Sequence, residues 1–138
     1  MKHMEISVRV RYQETDQMGF VYYSNYFVYF EIGRIEFLRN LGFSYSKLEK
    51  ENIFLAVIDA HCKYKSPARF DDLLTIKTWL SKLKHARIEF RYEIIRKEGE
   101  KLLAEGSTTL ACLGENRRPR AIPDEIRNTI TSKNLLPI

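Results

Sequence analysis

The segment SNYFVYFEIGRIEFLRN, residues 24–40, constrains the fold of this chain more than any other stretch. Tyr26, Phe30, Gly33, Phe37 and Leu41 recur at three- and four-residue steps and draw one stripe of a helix. Phe27, Val28, Ile32, Ile35 and Leu38 widen that stripe over most of the circumference. Only Glu31, Arg34, Glu36 and Arg39 interrupt it, spaced to pair at i,i+3. A helix apolar nearly all round must be covered on most sides. Gly33 costs such a helix about 1 kcal/mol against alanine, which predicts close packing over it. Gly42 is placed to end the helix.

The cover has to come from strands. Residues 5–12 alternate, with Ile6, Val8, Val10 and Tyr12 on one face and Glu5, Ser7, Arg9 and Arg11 on the other. After SYSKLEKEN, a short serine-capped helix, the chain is mainly strand. FLAVIDAHCKYK sets Phe54, Ala56, Ile58, Ala60, Cys62 and Tyr64 on one face, and DLLTIKTWLSKL follows a Ser66-Pro67 turn. ARIEFRYEIIRK points Ile88, Phe90, Tyr92 and Ile94 inward, and a hairpin at Gly99 leads into LLAEGSTTLACLG. PDEIRNTI closes the chain as a short helix with Pro123 near its start. Consecutive strands with segregated helices define an α+β domain, and an all-round apolar helix requires the antiparallel sheet to curve around it. A chain of 138 residues is the size of one such domain, expected over residues 1–138.

Between the first strand and the long helix lies YQETDQMGFVYY, where Asp16 stands among Met18, Gly19, Phe20 and Val21. By itself a Thr-Asp pair reads as a turn whose side chain bonds its own backbone. Beside a helix start and an apolar stretch it is also a candidate acid–base or nucleophilic group. Neighbouring Glu14 reads as a solvent-facing loop residue, and Tyr26 as core. His61 reads as a structural or surface histidine, and is the other candidate general base.

Composition removes several classes. No apolar run approaches the ~18 residues of a membrane span, and MKHMEISVRV lacks the apolar core of a secretory signal, so a cytoplasmic location is expected. Cys62 and Cys112 stand apart, and the three histidines show no ligand spacing, which predicts free thiols, no metal site and no cofactor. The net charge of +5 gathers in HCKYKSPAR, SKLKHAR and GENRRPRA, stretches suited to a polyanion or a phosphorylated small molecule.

The run RYQETDQMGFVYYSNYFVYFEIGRIEFLR resembles the signature of the hot dog acyl-CoA thioesterases, the 4-hydroxybenzoyl-CoA thioesterase family and the related Tol–Pal-associated bacterial enzymes. The matching residues are Tyr12, Thr15, Asp16, Gly19, Val21, Tyr22, Tyr23, Asn25 and Tyr26, with further matches in SPARFDDLL and RRPRAIPDEI. Tyr23 stands where many Tol–Pal-associated enzymes carry histidine, so no histidine role transfers to it. The resemblance implies a hot dog fold and hydrolysis of an acyl-CoA thioester. Asp16 is then general base or nucleophile, and the backbone N–H of Tyr23 is oxyanion donor. Met18, Gly19, Val21 and Tyr22 are candidates to hold the acyl group. Lys84, Arg87, Arg117 and Arg118, with Arg120, are candidates for the coenzyme A phosphates. The family further implies a homodimer or homotetramer with sites at the subunit junction, and edge strands give the same expectation.

Three other readings compete. A hot dog dehydratase or hydratase would pair a histidine with the carboxylate, and no histidine lies in this loop or the helix after it. A non-catalytic module would hold acyl-CoA or a protein in the same cleft, and only activity separates it from an enzyme. A nucleic-acid-binding domain would use the basic stretches and bind with a steep salt dependence, but it leaves the Asp16 loop without a purpose.

Overall fold

The computed structural model describes residues 2–137. Strand β1 (Met4–Arg9) leads through a single 3-10 turn (Tyr12–Glu14) and a loop to helix α1 (Asn25–Asn40). Helix α2 (Tyr45–Lys50), four strands, β2 (Phe54–Tyr64), β3 (Leu73–Leu83), β4 (Arg87–Arg96) and β5 (Lys101–Leu113), and helix α3 (Asp124–Ser132) follow. The five strands form one antiparallel sheet in the order β1-β3-β4-β5-β2, so β1 and β2 are its edges. Register shifts at Val57/Asp59, Leu80/Lys82 and Ile94/Ile95 are irregularities of the kind that bend strands and sharpen their twist. The sheet curves around α1, which is the hot dog arrangement.

Helix α1 fills the concave face as its sequence requires. Tyr26, Tyr29, Phe30, Phe37 and Leu38 are buried, and Phe30 stacks on Tyr92 of β4 at 4.4 Å between ring centroids. Facing them, Leu74, Ile76 and Leu80 of β3 are buried, and so are Ile88, Phe90, Tyr92 and Ile94 of β4, in the predicted alternation of that strand. Each such side chain taken fully from water contributes about 1.5–3 kcal/mol. Gly33 is the point of closest approach: a Cβ there would collide with Thr78 Oγ1 and come within 3.0 Å of Ile76 Cγ2. The helix ends as expected, with Phe43 N–H donating to Leu38 O and Gly42 N–H to Arg39 O, both at 2.9 Å. Ser44 caps α2, accepting from Lys47 N–H at 3.1 Å. The expected i,i+3 pairs form, Arg34 with Glu31 and Arg39 with Glu36. Arg34 is nonetheless buried, with its Nε donating to Tyr45 Oη at 3.0 Å.

Two local expectations fail. Tyr12 was expected on the inner face of the first strand, but β1 stops at Arg9 and the 3-10 turn rotates Tyr12 outward. It is 78% exposed and packs edge-on against Phe70. In β2 the one-face alternation is broken by the irregularity after Val57, which leaves Ile58 48% exposed and Tyr64 turned partly to solvent. β2 is an edge strand, so one of its sides pairs with no other strand among the described residues.

Candidate active site

The loop between β1 and α1 is closed by its own backbone. Asp16 N–H donates to Phe20 O at 2.8 Å, and Gly19 N–H to Asp16 O at 3.0 Å, making a turn with Asp first and Gly last. Gly19 has φ +80°, a backbone conformation that disfavours any other residue there. Val21 N–H reaches Ala68 O at 2.8 Å, which ties the loop to the segment between β2 and β3.

Within this frame Asp16 behaves partly as a turn residue. Its Oδ1 accepts from Met18 N–H at 2.9 Å and from Phe20 N–H at 3.2 Å. Those two bonds fix the plane of the carboxylate and leave Oδ2 without a partner among the described residues. Asp16 lines a cleft of about 470 Å³ together with Met18, Phe20, Val21, Tyr22, Tyr23, Tyr26 and the Tyr64–Pro67 segment.

The start of α1 forms another wall of the cleft. Tyr22 N–H is taken up by Glu14 O at 2.8 Å, but Tyr23 N–H and Ser24 N–H have no acceptor among the described residues. Free amides at a helix start carry the positive end of its dipole. Tyr64 Oη donates to Tyr23 O at 3.1 Å and holds this corner in place. Burial, then the Cys62 thiol, pushes the Tyr64 phenol up to about 12, so at neutral pH it keeps the proton it donates. A carboxylate with one free oxygen and unpaired amides in one partly apolar cleft can activate a nucleophile or attack directly, and can steady a developing oxyanion.

Of the other candidates, only Tyr26 shares the cleft. Tyr26 is buried, and its hydroxyl accepts from Ala68 N–H at 3.3 Å, as a core tyrosine would. His61 lies in a separate depression with Lys63, Glu89, Arg91 and Glu105, not in the Asp16 cleft. Lys84, Arg87, Arg117 and Arg118 gather at the opposite end of the sheet. Lys84 N–H bonds Arg87 O in the β3–β4 turn, and the Arg117 guanidinium sits 3.9 Å from the ring centroid of Phe54, the first residue of β2. The cleft lies by Tyr64, the last residue of that strand, so about 30 Å of strand separates the two groups within one chain. Glu14, expected in solvent, is 7% exposed. Lys65 and Ser66 of the cleft were not singled out from the sequence, although SPARFDDLL, which begins at Ser66, marks the place. A larger cavity of about 620 Å³, lined by Lys2, His3, Met4, Phe37, Asn40, Leu41, Lys133 and Leu135, offers no carboxylate. Among the described residues no group of three or more His, Cys, Asp or Glu is set to hold a metal ion. No helix among them is long and apolar enough to cross a membrane.

A five-stranded antiparallel sheet wrapped around one long helix puts this protein among the hot dog domains. The family model described as Thioesterase-like superfamily matches residues 10–130, and the chain belongs to that family. It is 34% identical over 120 residues to the acyl-CoA thioester hydrolase YbgC of Escherichia coli, covering 86% of this chain and 89% of that protein. The Haemophilus influenzae acyl-CoA thioesterase YbgC is 34% identical over 122 residues, covering 87% and 88%. Among solved structures, the DHNA-CoA thioesterase of Staphylococcus aureus superposes with a TM-score of 0.92 at 31% identity, covering 97% of this chain and 92% of that one.

Proposed function

We propose that this chain, a single domain over residues 1–138, is an acyl-CoA thioester hydrolase of the EC 3.1.2 type, releasing a free acid and coenzyme A. The observation that carries the reading is the shared cleft: Asp16, with a carboxylate oxygen free of partners among the described residues, and Tyr23, whose N–H has no acceptor among them, both line it. The thioester carbonyl is seated with its oxygen toward Tyr23 N–H. Asp16 draws a proton from water as that water attacks the carbonyl carbon, or attacks the carbon itself to give a mixed anhydride that water then hydrolyses to the free acid. Charge builds on the carbonyl oxygen in the tetrahedral intermediate. The helix amides hold that charge until the C–S bond breaks and the thiolate leaves. Met18, Val21 and Tyr22, which line the cleft, surround the acyl group, while Gly19, expected among them, is not in the lining and serves the turn that carries them.

Water exclusion calls for more than one chain. Met18 is 70% and Tyr23 59% exposed, so the apolar rim of the cleft is open. β2 presents an unpaired edge carrying exposed Val57 and Ile58. Two copies paired antiparallel along β2 about a two-fold near Asp59 would bring the Phe54 end of one strand beside the Tyr64 end of the other. Arg117 and Arg118 of one protomer then reach the cleft mouth of its partner, where coenzyme A phosphates would lie, with Lys84 and Arg87 nearby. The working unit is thus a homodimer, paired again in a homotetramer. The unpaired thiols of Cys62 and Cys112 suit a cytoplasmic location.

The test is a panel of short-, medium-, long-chain and aromatic acyl-CoAs, read by release of free thiol. In Asp16→Asn the amide oxygen keeps both loop hydrogen bonds and the base is lost, so kcat is expected to fall about 10³-fold with the fold intact. Unchanged turnover in that variant removes the mechanism. Binding of acyl-CoA without turnover by the unaltered protein would favour the non-catalytic module.

A further inference from the structure

Glu14 has no part in the chemistry just described, yet it is the most elaborately held carboxylate near the cleft. Its Oε1 accepts from the Tyr29 hydroxyl at 2.9 Å and from Arg11 N–H at 2.8 Å, and its Oε2 from Arg11 Nε at 3.2 Å. Tyr29 lies inside α1 and is wholly buried. The backbone of the same residue is equally engaged, since Glu14 O accepts from Tyr22 N–H at 2.8 Å and from Asn25 Nδ2 at 2.9 Å. A buried carboxylate is tolerated only when its lone pairs are met, and loss of one such partner leaves the others stranded.

The partners of Glu14 lie in both segments that bear the site, the loop before Asp16 and the start of α1. Asp16 follows it by two residues and inherits its position from the 3-10 turn that Glu14 ends. Tyr22 immediately precedes the Tyr23 amide, and Asn25 is the first residue of α1. Glu14 therefore fastens the acid-bearing loop and the amide-bearing helix start to one point, with Tyr29 anchoring that point to the helix interior.

We propose that Glu14, through Tyr29, is a positioning residue that sets the separation between the Asp16 carboxylate and the Tyr23 N–H. This deepens the thioesterase reading and rests on it. A misplacement of about 1 Å between reacting groups costs on the order of 10²-fold in rate. Removing the brace should therefore lower kcat and leave KM nearly unchanged.

Three variants and two measurements test it. With the best acyl-CoA of the panel, Glu14→Ala is expected to lose about 10²-fold in kcat and Tyr29→Phe about 10-fold, each with KM within about 3-fold. Glu14→Gln, whose amide oxygen still accepts from Tyr29 and from Arg11 N–H, should stay within about 5-fold of the unaltered protein. Full kcat in Glu14→Ala or Tyr29→Phe overturns the proposal, as does a Gln variant as impaired as the Ala variant, which would make the charge itself chemical. If Glu14→Ala does not fold, Tyr29→Phe, which removes one oxygen, decides alone. Amide hydrogen exchange supplies a readout free of substrate: residues 15–25 should exchange about 10-fold faster in Tyr29→Phe while β3 and β4 stay protected. Unchanged exchange there overturns the brace. Should the unaltered protein cleave no acyl-CoA, or Asp16→Asn cleave it at full rate, the proposed function falls and the exchange data alone judge Glu14.

Discussion

Cys62 and Tyr64 lie on the same edge strand, two residues apart, and Tyr64 lines the cleft. Burial raises the Cys62 thiol from the ordinary 9.0 to about 11, against a smaller opposing influence of the neighbouring Tyr64 hydroxyl. A folded-state pKa above the unfolded one means that the protonated form is preferred in the fold. Its contribution to stability is whole below about pH 9 and is lost as pH climbs through about 11. The melting temperature is thus expected to be level from about pH 7 to 9 and to fall beyond, and Cys62→Ser, whose hydroxyl does not ionise in this range, should flatten the first part of that decline. A scan of thermal melts between about pH 7 and 11 checks it, and an equally steep fall in the serine variant would contradict it. At this scale the sequence was readable where a residue's partners are its chain neighbours, as with Asp16, Gly19 and Ser44. It misled where the partner is distant. Glu14 looked like a loop acid because nothing in YQETD announces Tyr29, fifteen positions on, as its hydrogen-bond donor.

Elements were legible wherever periodicity reports a two-sided environment. Helix α1 and strands β3 and β4 bury the faces their spacing implies, and Gly33 marks the crossing of α1 over β3. Gly33→Ala gains about 1 kcal/mol of helix propensity but must push a methyl group into Thr78 Oγ1 and Ile76, an overpacking cost of typically 1–3 kcal/mol. A net loss of up to about 2 kcal/mol is expected, seen as a lower denaturation midpoint with unchanged slope. Thr78 Oγ1 is buried without a partner among the described residues, so Thr78→Ala in that background should recover part of the loss. Strictly additive effects of the two substitutions would show that the contact is not what limits packing. β2 was less legible for a physical reason. Its apolar residues answer to two surfaces, the chain's own core and an edge that pairs with no other strand among the described residues, and the irregularity after Val57 shifts it from one pattern to the other.

Taken as a whole, the molecule has two chemically different tips. Asp16 and the free amides occupy one, while Arg117 and Arg118 occupy the other, at the far end of the same strand. Under the proposed two-fold pairing, each cleft draws its acid from one copy and its guanidinium groups from the second. Injury to one tip can therefore be made good by a chain injured only at the other. Asp16→Asn and the double variant Arg117→Ala/Arg118→Ala, each feeble alone at low acyl-CoA, should regain activity when refolded together. With random exchange half of the dimers are mixed and each restores one cleft of two, giving about a quarter of the original rate. Arginines serving the cleft of their own chain would give no such recovery, so a simple mixing experiment tells in which direction the two tips of this protein cooperate.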